Sequence, residues 1–266
     1  SQAPSGVTAA YRLGWTVLLL LPVVLLRCRA ELRRVTARDL VLCGASGVLL
    51  ALHFLTWFES LKRTSVASST VLVSTEVIFT ALGFALFLHG KIPRLGVWAI
   101  LLAFGGSALL ALSGGGGAGE LSGNLLALAA ASAAAVYTLI GRVQRGHLST
   151  TVYTFLTYLA CFLTLLLGTA AAGTPLTGYG GREWLIGLAL AVLCTLLGHS
   201  LFSWCLKYLS PSYVSAAKLC EPVFSSLAAI PLFGEVPGPL QLAGGAAVLG
   251  AVLLYTWAER EKTPAG

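Results

Sequence analysis

Two glutamates, Glu76 and Glu221, stand 145 residues apart, each near the middle of an apolar stretch long enough to cross a bilayer. A carboxylate at that depth is disfavoured by ~3 kcal/mol on insertion scales, so it belongs beside a cation, water or a polar solute rather than lipid. Lys218 precedes Glu221 by three residues. On a helix that spacing puts both on one face, where they neutralise each other or offer opposite charges to a zwitterionic or amine-bearing solute. Glu76 has no such sequence neighbour, so it needs Arg12, Lys218 or a histidine from another helix, or must hold a proton. Pro222 removes a backbone donor in mid-helix and marks a hinge.

Other polar residues recur at helical spacing. Ser46, His53, Trp57 and Ser60 share a face, as do Ser69, Glu76 and Thr80. Thr150, Thr154, Thr157, Cys161 and Thr164 form a stripe, and Thr195, His199 and Ser203 another. Arg12 lies inside an apolar span and stands 145 residues before Thr157. Trp57, Tyr137, Tyr158 and Trp204 fall on or near the same sides, and aromatic walls suit flat or cationic solutes. The candidate cavity set is therefore Glu76, Glu221, Lys218, His53, Trp57, His199, Arg12, Tyr137, Thr157 and Tyr158. Each has a plainer alternative: helix packing for the hydroxyl stripes, snorkelling for Arg12, a structural ion pair for Lys218 and Glu221. The histidines leave proton coupling open.

The elements that must carry these residues are transmembrane helices. The chain is 57% hydrophobic and 10% charged, with a mean hydropathy of +0.86. Apolar windows of about 20 residues recur at 7–27, 39–61, 65–88, 95–113, 121–141, 150–172, 182–206, 211–233 and 239–257. Lipid cannot satisfy open backbone groups, so helix is expected throughout, in one all-α polytopic membrane domain. The net charge of +7 is a topology signal, not a nucleic-acid one. With the loop after 7–27 placed in the cytoplasm, twelve Lys and Arg fall inside and three (Lys62, Arg63, Arg182) outside, and the C-terminus is cytoplasmic. The six cysteines show no metal-ligand spacing and read as small packing residues.

Shifting the chain by 145 brings Leu61, Lys62, Ser65, Glu76, Phe79 and Leu82 onto Leu206, Lys207, Ser210, Glu221, Phe224 and Leu227. The repeats expected are 1–113 and 121–257, joined by a Gly-rich connector at 114–120 and followed by a tail at 258–266. The partner of 121–141 would lie before Ser1, and the chain has no methionine. Ten helices are therefore expected in the parent protein, two inverted sets of five, with the first absent here.

Gly198 through Ser210, the block Lys218-Leu219-Cys220-Glu221-Pro222-Val223-Phe224, and Phe233-Gly234-Glu235 resemble the last third of EamA-type proteins of the drug/metabolite transporter superfamily. Ala51 through Phe58, Thr64 through Ser69 and Gly90-Lys91 echo that pattern in the first half. Two positions depart from it: Lys91 stands where the family usually has Glu, and Val77 where a proline often follows the glutamate.

The resemblance implies a secondary transporter, an exporter of small metabolites, amino acids or drugs, working by alternating access in a bacterial inner membrane. Its expected partners are a small-molecule substrate and the bilayer, with a proton as coupling ion and a homodimer both open, and no nucleic acid. No catalytic residue, metal or cofactor is expected. Two other readings compete. One is a non-transporting scaffold or receptor. The other is a rhomboid-like intramembrane serine protease, in which Ser46 of Gly44-Ala45-Ser46-Gly47 is the nucleophile and His199 the base.

Overall fold

The protein is described from a computed structural model covering residues 2–89, 93–113, 118–211, 214–215, 218, 230–232, 234 and 237–260. Helices α1 (Ser5–Arg27), α3 (Ala37–Ser60), α6 (Arg94–Ser113), α7 (Ala118–Gln144) and α8 (Thr150–Ala171) match expected spans within three residues at each end. The last helix, α11 (Pro239–Arg260), also matches, running three residues beyond its expected end. Most of the span expected at 211–233, with Glu221 and Pro222, lies outside the described residues, as do connector positions 114–117 and the tail from 261. Among the described residues, seven helices are long and apolar enough to cross a membrane. This is a multi-pass membrane protein.

Two spans are not uniform. The one expected at 65–88 is split into α4 (Val66–Val73) and α5 (Glu76–Phe87) by a turn at Ser74 and Thr75. Short i→i−3 bonds such as Thr75 N to Leu72 O, 3.1 Å, replace regular helical ones there. Competition from hydroxyls explains the break: Ser74 Oγ donates to Thr70 O at 2.9 Å and Thr75 Oγ1 to Leu72 O at 2.6 Å. The span expected at 182–206 runs as α9 (Gly181–Ala189), a ten-residue π-helix (Leu190–His199) and α10 (Ser200–Cys205). A four-residue turn, α2 (Arg29–Leu32), follows α1.

The chain divides into two compact units, Ser1–Leu55 with Tyr137–Leu209, and Thr56–Val136 with Ser210–Gly266. In the first unit α1 packs along α8, and α3 crosses α8 at Gly47. A Cβ at Gly47 would stand 2.5 Å from the Thr157 carbonyl, so only glycine allows that approach. Cys43, Leu148, Val152 and Tyr153 close the core nearby. In the second unit α6 lies along α11, with Gly106 similarly tight against Gly244 O at 2.9 Å. Val77, Ile78 and Ala81 of α5, Ala99, Ile100 and Ala103 of α6, and Ala251, Val252 and Tyr255 of α11 form its core. Leu18, Val23, Leu25 and Leu26 of α1 and Leu86 and Phe87 of α5 are exposed, as befits side chains that meet acyl chains.

Candidate functional site

In the second unit, the break between α4 and α5 places Glu76 at the first position of α5, where the helix dipole favours a negative charge. Its carboxylate is 5% exposed. Lys218 Nζ donates to both oxygens, at 2.8 and 2.9 Å, and Ser215 Oγ donates to Oε1 at 3.2 Å. Thr80 Oγ1 lies 3.5 Å from Ser215 Oγ. Lys218 therefore serves Glu76, one of the partners considered for it from sequence. Such a pair neutralises a buried carboxylate with a part-buried ammonium, and an incoming ammonium could replace Lys218 on the same carboxylate. Trp57 belongs to this unit, its ring tilted against Phe58.

The first unit holds a different arrangement. Arg12, mid-helix in α1, is 2% exposed; its Nε donates to Thr195 Oγ1 at 2.7 Å. Its guanidinium carbon sits 4.2 Å from the centre of the Phe54 ring, a cation–π contact in a dry setting. His199 stands edge-on to three rings, those of Phe54, His53 and Tyr137, with centroids 5.4, 6.3 and 6.2 Å away. Two tyrosine hydroxyls meet the segment at and after the π-helix: Tyr158 Oη lies 3.2 Å from Ser200 Oγ and Tyr137 Oη 3.1 Å from Ser203 Oγ. The π-helix carries Thr195 and His199 on its i→i+5 register, and Ser200 Oγ closes onto Thr195 O, five residues back, at 3.2 Å.

Arg12, His53, His199, Tyr137 and Tyr158 thus assemble as one group, and Glu76 with Lys218 as another. Thr157 joins neither. It is fully buried at the Gly47 crossing, its Oγ1 outside close hydrogen-bond geometry with the described residues. Trp204 is 48% exposed, its ring tilted against Tyr208, because the next residue after the inward-facing Ser203 turns by about 100° on a helix. Ser46 is buried with its Oγ 3.0 Å from Tyr153 Oη, so its hydroxyl is held by a tyrosine rather than by the imidazole a protease would need.

Sequence reasoning passed over Phe54, Ser215, Asp39 and Arg145. Asp39 gathers Thr36, Gln144 and His147, the last through Nε2 at 2.7 Å. Arg145 counted only as a loop charge; it is 3% exposed and donates to the carbonyls of Ser203 and Leu148. Burial pulls its pKa below the usual arginine value. Among the described residues, no group of three or more His, Cys, Asp or Glu is placed to hold a metal.

A solved crystal structure of a protein aligns with 99% of this chain and 91% of its own length at a TM-score of 0.68 and 20% identity, which shows a shared fold. A pseudopaline exporter of Pseudomonas aeruginosa is 24% identical over 78% of this chain and 72% of its own length. A Streptantibioticus cattleyicolor protein named "Probable terminal-alkyne amino-acid exporter" is 28% identical over 84% of this chain and 75% of its own. The model of the EamA-like transporter family matches residues 1–112 and 121–257, and with helices of this length and order the chain belongs to that family of membrane transporters.

Proposed function

We propose that this protein is a secondary transporter that exports a small polar metabolite, with amino acids and their derivatives as the leading substrates. The observation that carries the reading is the Glu76–Lys218 pair, buried at an interruption of a membrane-spanning helix. Interrupted helices supply polar backbone groups at membrane depth, and transporters use them where solutes bind. Two relatives named as exporters support the direction, and one of those names specifies an amino acid.

Alternating access of two inverted repeats is the motion we favour. It is supported by the offset of 145: α1 packs on α8 and α6 on α11, and the members of each pair are repeat counterparts. A pseudo-twofold axis brings counterparts together in this way. A solute gradient or a proton would supply the energy, with His53 and His199 the candidate proton carriers. The distribution of basic residues supports a cytoplasmic side for the C-terminus and for the Arg-rich segment after α1.

Proteoliposomes test the reading directly. Counterflow across a panel of labelled amino acids and polar metabolites is expected for at least one compound, and Glu76→Gln is expected to abolish it without loss of insertion. Flux unchanged in Glu76→Gln removes this carboxylate from the mechanism.

A further inference from the structure

We propose that the arginine-rich end of the first unit is a binding surface for anionic phospholipid headgroups. Arg27, Arg29, Arg33, Arg34 and Arg38 lie between the end of α1 and the start of α3, and all five are exposed. The segment that carries them is seated on the bundle. Cys28, Leu32 and Val35 recur at i, i+4 and i+7 and pack on the core around Tyr153. With that face turned inward, α2 and the residues after it hold Arg29, Arg33 and Arg34 on the outside. The acids of this end are engaged elsewhere. Glu31 Oε1 accepts from Ser149 N at 2.6 Å, while Asp39 accepts from Thr36 N and Gln144 Nε2 and lies 2.7 Å from His147 Nε2. Among the described residues none of the five arginines forms an ion pair.

A phosphate supplies the missing counter-charge, and the planar fork of arginine bonds two of its oxygens at once. The apolar flanks select a lipid as the source. Leu25 and Leu26, the latter 84% exposed, precede the cluster on α1, and the exposed Leu40 and Val41 follow it on α3. Both helices are long and apolar enough to cross a membrane. A headgroup held by the arginines leaves its acyl chains along these side chains, a continuity that a free phosphate has no use for. A topology signal needs only positive charge on one side of the membrane. An arginine face anchored to the core, without an acid to pair with and joining two lipid-facing helix surfaces, goes further. The opposite end of the unit is the contrast, with Arg182 the only basic residue from 171 to 190.

Phenylglyoxal labelling reads the surface without any need for flux. The purified chain is placed in nanodiscs of phosphatidylcholine, with or without about one-third phosphatidylglycerol, and modification of Arg29, Arg33, Arg34 and Arg182 is followed by mass spectrometry of their peptides. The anionic lipid is expected to slow modification of the three clustered arginines about tenfold and that of Arg182 by about twofold or less. Equal slowing at Arg182 overturns the proposal, because it reports the charge of the disc and not a site. Unchanged rates at the cluster overturn it as well. Glycerol 3-phosphate, added to phosphatidylcholine discs, offers a phosphate without acyl chains; protection by it equal to that by phosphatidylglycerol makes this a soluble-anion site and overturns the lipid assignment. In a second measurement, native mass spectrometry of the chain released from micelles holding equal amounts of the two lipids is expected to find phosphatidylglycerol retained over phosphatidylcholine by about fivefold. The triple variant Arg29→Gln, Arg33→Gln, Arg34→Gln brings that ratio close to one, and Arg182→Gln leaves it as it was. A ratio near one in the wild type, or one that the triple variant does not lower, overturns the proposal.

Discussion

The two units solve one problem, a charge buried in apolar helices, in opposite ways. In the second unit Glu76, at a break in its helix, is bonded by Lys218 and by Ser215. In the first, the Arg12 guanidinium lies on the face of Phe54 and donates to the hydroxyl of Thr195. A neutralised pair admits a new ion only by giving up the one it holds, so an ammonium would reach Glu76 by displacing Lys218. The Phe54 ring and the Thr195 hydroxyl carry no formal charge and hold the guanidinium by its face and its Nε edge. The contrast teaches that burial alone does not mark a binding group; what matters is whether its partner can be exchanged.

Breaking the pair is expected to have the largest effect. Glu76→Gln takes from Lys218 the carboxylate that it bonds through both oxygens and should destabilise the protein by about 3–5 kcal/mol, with flux abolished. The double variant Glu76→Gln with Lys218→Gln should recover most of that stability in thermal melts while flux stays absent. Recovery of flux in the double variant would make the pair purely structural.

Arg12→Gln comes next. It is expected to lower transport efficiency by about 10- to 100-fold, while the lost charged hydrogen bond to Thr195 costs only about 1.5–3 kcal/mol of stability. A stability loss as large as that of Glu76→Gln would erase the distinction between the units. Gly47→Val probes packing alone: forcing a side chain against the Thr157 carbonyl should cost about 1–3 kcal/mol in denaturation melts and leave substrate preference unchanged.

Tyr137→Phe removes the hydroxyl beside Ser203 and should weaken transport by about fivefold, a loss of roughly 1 kcal/mol. The smallest change is Thr157→Val. Its hydroxyl is buried outside close hydrogen-bond geometry with the described residues, so an isosteric apolar group should leave the melting temperature unchanged or raise it slightly, by the equivalent of about 1 kcal/mol.

Much of this was legible in the residues. Apolar length gave most helices within a few positions, because hydrocarbon thickness and backbone hydrogen bonding leave the chain little choice. Helical periodicity put His53 and His199 on polar faces, and they meet in the first unit. What the pattern could not supply was pairing between helices. Lys218 is three residues from Glu221 in sequence, yet it contacts Glu76, 142 residues away. Phe54 carried no signal at all: an aromatic residue in an apolar helix looks the same whether it faces lipid or a guanidinium. Thr157 misled because a polar stripe on a helix cannot tell a solute-facing hydroxyl from one pressed into a crossing. The interruptions at Ser74 and at 190–199 were missed because both lie inside stretches whose composition fits an ordinary helix.

The ten-residue π-helix has a consequence for how tolerant this chain is of length changes. Its wider turn accommodates surplus residues while the helix axis continues, so everything after His199 is phased by how many residues the segment contains rather than by which ones. Deleting one residue between 190 and 199 would let the stretch relax toward ordinary winding and swing Ser200 and Ser203 by roughly 100° away from their tyrosines. A substitution there is a local matter; an indel resets the clock for the rest of the helix.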